Sequence, residues 1–233
     1  MNKKRPNEIR QQYGQEINSL KEFYGTAYTG FAGDPHEAKH NTMLAELVFL
    51  NAYVLFESFL SDLFLAYINK RAISYQNNQE AKIKKLVREE FGSWFSDKIS
   101  MSKSQHLKAE EVESLIDPKG FNITFGSSSE IKRLAAAWIA QEYRKRIFLL
   151  SDEDFLFIDC CREMRNAIAH KSKRSFEAMN ELLRDIPAGS TINFLRRPAK
   201  DVRTVGAFLK AKAGGTHRLL RCVDRLGDIA SRM

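Results

Sequence analysis

The sequence predicts an all-α protein, and three observations carry that expectation. Glycine (12) and proline (5) are scarce in 233 residues, too few for the turn density of a loop-rich β-sandwich. Apolar residues recur at steps of three and four over long stretches. Helix-start signals stand where several of those stretches begin. Apolar residues make up 43% of the chain and aromatics 11%, ample for a packed core and incompatible with a disordered chain.

Taken in order, Asn7 can cap a first helix carrying Ile9, Tyr13, Ile17, Leu20 and Phe23, and a loop over Gly25–Gly33 follows. Asp34-Pro35 then starts a long helix, because Asp caps and Pro fits the first turn, and it runs to about Asn69. Its polar residues Asn51, Ser58, Asp62 and Asn69 share one narrow stripe, which predicts a helix in the middle of a bundle. Leu44 to Ile68 is the most apolar stretch, but Glu46, Asn51, Glu57 and Asp62 interrupt it, so it reads as a buried helix rather than a membrane span. Ala81 to Phe91 is expected as an exposed amphipathic helix. Residues 92–129 are mixed, with turn signals at Asp117-Pro118-Lys119-Gly120 and Gly126-Ser127-Ser128-Ser129. Further helices are expected from Glu130 through Ile139, and from a Ser151/Asp154 capping pair to about His170. Phe176–Leu183 reads as helix, Ile186-Pro187-Ala188-Gly189 as a break, Thr191–Leu195 as a short strand, and a last helix follows Gly214-Gly215.

Lys and Arg number 37 against 29 Asp and Glu, a net charge of +8 that favours a polyanionic partner without fixing any chemistry. From Arg196 onward ten basic residues face three acids, so nearly all of that surplus lies in the tail. The tail is either a solvated helix face or a phosphate-binding surface. Three cysteines, two of them adjacent, suit reduced core thiols in the cytosol, and the basic N-terminus has no apolar run behind it to make a signal peptide.

Two motifs compete for a function. His36-Glu37-Ala38-Lys39-His40 matches the zinc-hydrolase pattern H-E-x-x-H. It falls in the first, most solvated turns of its helix and lacks a third ligand: Glu57, downstream on the same helix, is about 25 Å from His40. The reading is exposed helix-start histidines, with no metal and no cofactor. The second motif is Arg165-Asn166-Ala167-Ile168-Ala169-His170. On a helix, Arg162, Glu163, Asn166 and His170 cluster with Asp159, opposite an apolar face of Phe157, Cys160, Cys161, Met164, Ala167 and Ile168. Arg165 lies about 140° from His170, so the two converge only if the helix frays, if long side chains bend, or if a second subunit completes the site. Without further information the motif also fits a plain helix end, its basic residues facing the C-terminal dipole.

The Arg-Asn-x-x-x-His stretch at the end of a late bundle helix resembles the signature of the HEPN superfamily of ribonucleases. Glu46 to Asp62 (ELVFLNAYVLFESFLSD) is similar to the corresponding helix of the RiboL-PSP-HEPN group. The resemblance covers roughly residues 40–70 and 150–185. It implies a HEPN-like antiparallel helical bundle over residues 1–190, with 191–233 as a basic C-terminal segment packed on the same domain. It also implies a homodimer with a composite active site and metal-independent RNA cleavage, as in toxins and phage-defence effectors that an antitoxin or regulatory protein can control.

In that chemistry His170 is a proton donor or acceptor, since imidazole's unperturbed pKa of about 6.5 suits the task. Arg165 holds the phosphate through its planar, permanently charged fork. Asn166 orients the histidine or touches the phosphate, and Arg162 is a second phosphate contact. Glu57 would be costly to bury unpaired, so it either orients Arg165 or Arg162 or is a partly exposed edge residue. A helical RNA- or nucleotide-binding module without catalysis is the alternative.

Overall fold

The computed structural model describes residues 5–105, 107–116 and 125–233, and over these the protein is all-α. The expected turn at 117–120 lies outside the described residues. Its contacts gather into two compact units. One comprises the described residues up to Ile9 together with Leu60–Leu149; the other comprises Arg10–Phe59 and Leu150–Met233.

Helices α1 (Pro6–Gly30) and α2 (Glu37–Lys70) contribute residues to both units. Pro6 opens α1, and the Arg5 N–H donates to Glu8 Oε2 (2.9 Å). Asn7 therefore lies inside the helix. Ile9, Tyr13, Ile17 and Tyr24 are its buried residues, whereas Phe23, expected in the core, is 57% exposed. The loop expected over 25–33 is helical as far as Gly30. Tyr24 and Tyr28 pack on His217, and the Thr29 hydroxyl shares its proton between the Gly25 and Thr26 carbonyls. Asp34 does cap: its Oδ1 accepts the His36 N–H (2.6 Å), three residues before α2 begins at Glu37.

By length and composition α2 could cross a bilayer. Its core face carries Phe49 and Phe56, and Tyr13 stacks near Phe56 and Phe59 (6.2 and 4.8 Å). The opposite face differs from the expectation of a helix covered all round. Met43, Leu47 and Val54 stand more than half exposed beside Asn51 and Ser58, because nothing in the unit packs over that stripe.

The unit around Leu60–Leu149 holds α3 (Ala72–Phe91), α4 (Ser93–Lys98), α5 (Ala109–Ile116), α6 (Ser128–Trp138) and α7 (Gln141–Phe148). Helix α3 starts nine residues before the expected Ala81, because Ala72, Tyr75 and Gln76 are buried and the Gln76 amide clamps both backbone groups of Ser104. Ser127 caps α6 by accepting the Glu130 N–H, and Ile139 is its C-cap rather than a helical residue. The sequence reading missed α7, which buries only Ile147 and so shows almost no apolar period.

The other unit adds α8 (Asp152–His170), α9 (Lys173–Asp185), α10 (Val205–Lys210), the hairpin strands β1 (Lys212–Ala213) and β2 (Thr216–His217), and α11 (Arg218–Arg232). Helix α8 packs against α9, α10 and α11. Ser151 and Asp154 form the expected capping box. Ser172 caps α9, which therefore begins before Phe176. The strand expected at 191–195 is instead a 3-10 turn at Asn193–Leu195. Burial does alternate from exposed Thr191 to buried Phe194 as a strand's would, but the backbone closes on itself: the Asn193, Leu195 and Arg196 N–H groups donate to the carbonyls three residues earlier (3.0, 2.9 and 2.9 Å), so none is left for a partner strand. Gly214 and Gly215 both adopt positive φ (62° and 84°), the conformation a two-residue hairpin turn needs. At Gly206 a Cβ would sit 2.2 Å from the Thr42 carbonyl oxygen, so only glycine lets α10 lie this close to α2. Cys160, Cys161 and Cys222 are free, buried thiols, and burial pushes Cys160 up to about 12.

Six of the tail's ten cations are bonded within the fold. Arg225 and Arg232 close on Asp154, and Arg197 pairs with Asp201. Lys210 donates to the Ala38 carbonyl, Arg218 to that of Phe194 and Arg221 to that of Ala213. These cations cross-link the fold.

Candidate functional site

Helix α8 places the motif residues, and its regularity decides what they can reach. It stays helical through His170 and is closed by the Lys171 N–H donating to the Ala167 carbonyl (3.1 Å). It does not fray, so Arg165 and His170 leave the helix about 140° apart. Within one chain they do not converge.

Arg165 turns towards α2. Its Nη2 lies 3.7 Å from Glu57 Oε2, and its Nη1 donates to Asn166 Oδ1 (3.2 Å). Glu57 thus faces Arg165 rather than Arg162. Its side chain is about one-quarter exposed and that of Arg165 one-third, so the pair sits at the edge of the core with the guanidinium partly open to solvent. Burial raises the Glu57 carboxyl above its ordinary range, and the Arg165 charge only partly offsets this.

One turn earlier, Arg162 Nη2 pairs with Glu163 Oε1 (2.7 Å), while its Nε is buried with no hydrogen-bond partner. Tyr53 is 3% exposed beside this group; burial raises its phenol first, and the nearby Glu57 charge adds to it. Tyr53 is the tyrosine of the 46–62 stretch on which the resemblance rests, but the sequence assigned it no role. Its position one helical turn before Glu57 is the signal that was available.

His170 is exposed and forms no hydrogen bond or ion pair with a described residue. It shares a helix face with Asn166, about 40° away. The structure therefore brings Glu57, Arg165 and Asn166 together, sets Arg162 and Glu163 alongside, and leaves His170 at the open end of the same helix.

Lys171, directly after the motif, is in the left-handed region (φ 49°, ψ 28°), the one non-glycine residue with positive φ among those described. A side chain there costs about 1 kcal/mol relative to glycine, the usual residue at this position of a helix end.

The histidine pair of the other motif lies at the exposed start of α2. The His36 and His40 rings are 6.0 Å apart, and His40 Nδ1 is 3.4 Å from Asp34 Oδ1. Among the described residues no three His, Cys, Asp or Glu side chains are grouped to hold a metal ion. Comparison of the chain with protein-family models, with curated proteins and with solved structures found no match in any of the three.

Proposed function

We propose that this chain is a homodimeric, metal-independent endoribonuclease of HEPN type, acting as a toxin or phage-defence effector. One observation carries the reading. Arg165, the motif's phosphate-holding residue, is tied back to Glu57 and Asn166 yet keeps a third of its side chain open, at the end of a helix whose next turn presents an unpartnered imidazole. A guanidinium held at its edge and left accessible can grip a phosphate while charge builds on it.

The chemistry has three tasks. A base takes the 2′-OH proton, and the 2′-oxygen attacks phosphorus. Arg165 stabilises the extra charge on the phosphate oxygens. An acid protonates the departing 5′-oxygen as the P–O5′ bond breaks, leaving a 2′,3′-cyclic phosphate and a 5′-hydroxyl. Because His170 and Arg165 diverge within a chain, a two-fold pairing must bring one protomer's imidazole to the other's guanidinium. The uncovered Met43, Leu47 and Val54 on α2 provide apolar surface for such a pairing.

That same divergence favours a second reading, a module that binds RNA without cutting it. Incubation with total RNA in EDTA, with the 3′ ends mapped, separates the two. The ribonuclease reading expects cyclic-phosphate ends that vanish in His170→Ala and in Arg165→Ala while both variants remain folded. Salt-dependent binding without cleavage would replace it with the second reading.

A further inference from the structure

On the other flank of α8's last turn from Asn166 lies an open cavity of about 500 Å³, within the size range of small-ligand sites. Three cations reach it from three parts of the chain: Lys39 on α2, Lys171 at the α8–α9 junction, and Arg203 just before α10. All three are exposed, and none of their side chains pairs with a described residue. This sets them apart from the tail cations that cross-link the fold. Glu46, the acid on the wall, has one oxygen committed to the Gly206 N–H (3.0 Å). The lining therefore keeps a positive surplus. Ile168 supplies a buried apolar floor, and Phe176 offers a part-exposed aromatic ring.

We infer that this cavity binds a nucleoside phosphate, its phosphate held by Lys171, Arg203 and Lys39 and its base laid against Phe176 and the apolar floor. A flat apolar body with an anionic end is the ligand that uses both halves of the lining. The backbone of Lys171 is an independent sign. A lysine is held where glycine would fit without strain, and its side chain lines the cavity. The nucleotide can be free or one unit of an RNA strand. For the strand, the inference rests on the RNA reading above: Lys171 lies only about 9 Å along α8 from Arg165, close enough for one strand to reach both.

The test is titration of the full chain with a mononucleotide, with a 2′-O-methyl oligoribonucleotide that cannot be cleaved, and with inorganic phosphate. Wild type is compared with Lys171→Gly, Arg203→Gln and Phe176→Ala, each checked for folding. The expected result is an at least tenfold loss of nucleotide affinity in Lys171→Gly and Arg203→Gln, with no fall in the Tm of Lys171→Gly. Phe176→Ala should weaken nucleotide but not phosphate. Binding of the oligomer alone assigns the cavity to a strand and binding of the mononucleotide alone assigns it to a free ligand; both support the inference. It is overturned if neither binds wild type, if Lys171→Gly and Arg203→Gln bind as wild type does, or if phosphate binds as tightly as nucleotide. Arg203-dependent binding in a protein that never cuts RNA would uphold the inference and sink the ribonuclease reading. His170-dependent cleavage with unaltered binding in both cation variants would do the reverse.

Discussion

At the N-terminal end of α8, Asp154 is completely enclosed and every acceptor it has is used. Arg232 donates to both carboxylate oxygens (2.9 and 2.7 Å), Arg225 adds a third contact at 2.8 Å, and the Ser151 N–H and hydroxyl complete the shell. At the C-terminal end of the same helix the Glu57–Arg165 pair spans 3.7 Å and is partly wet, His170 has no partner among the described residues, and Lys171 holds a strained backbone. The first arrangement spends its charges on cohesion. The second leaves them available, which a fold selected for stability alone has no reason to do.

The largest expected effect tests the closed end. Asp154→Asn removes the enclosed charge facing Arg225 and Arg232 and leaves them only Asp228, so it should cost about 2–3 kcal/mol of stability. Chemical denaturation would measure it, and a loss below about 1 kcal/mol would make the contrast between the two ends an error. At the open end, Arg165→Ala and His170→Ala should cut RNA cleavage at least about 100-fold, comparable to removing one transition-state donor elsewhere, with little change in stability. A large fall in Tm for either would mean that this end, too, is structural.

The two ends also differ in the sign of their pH dependence. Burial alone would raise the Asp154 carboxyl, but Arg232, Ser151 and Arg225 outweigh it and bring its pKa to about 2. Its stabilisation is therefore complete above the ordinary aspartate range and is lost as pH falls towards 2, a contribution of about 2 kcal/mol. The difference between wild type and Asp154→Asn should shrink over that window in acid denaturation. Lys171→Gly should act in the opposite direction to most substitutions, raising stability by about 0.5–1 kcal/mol through relief of backbone strain.

The sequence made the closed end half legible. Ser151 and Asp154 announced a capping box because their spacing is local, but Arg225 and Arg232 are more than 70 positions away and no periodicity marks their pairing. For the same reason the sequence did not show which of the tail's cations bond within the fold, as Arg218, Arg225 and Arg232 do, and which stand exposed, as Arg203 does. Long apolar helices such as α2 and α8 were readable from their period. Helix α7 and the 3-10 turn were not, since α7 buries too little to show a period and the turn alternates exposed and buried residues from Thr191 to Phe194 as a strand would. At the open end, the faces of Arg165, Asn166 and His170 followed from helix geometry. The choice of Arg165 over Arg162 as the partner of Glu57 needed the packing of α2 on α8.

The smallest expected effect is the most discriminating one for the open end, because it separates a positioning role from simple burial. Glu57 titrates above its ordinary range, so it favours the folded state at low pH and loses that contribution as pH rises through the carboxylate range. Glu57→Gln removes both the desolvation cost and the charge facing Arg165, and these nearly offset, leaving a net change within about 1 kcal/mol. If Glu57 does no more than sit at the core edge, RNA cleavage should be unaffected. If it aims the Arg165 guanidinium, kcat should fall several-fold while KM for RNA hardly moves, since the cation remains present but is less well placed when the phosphate charge develops. A loss as severe as that of Arg165→Ala would instead put Glu57 itself in contact with the reacting groups.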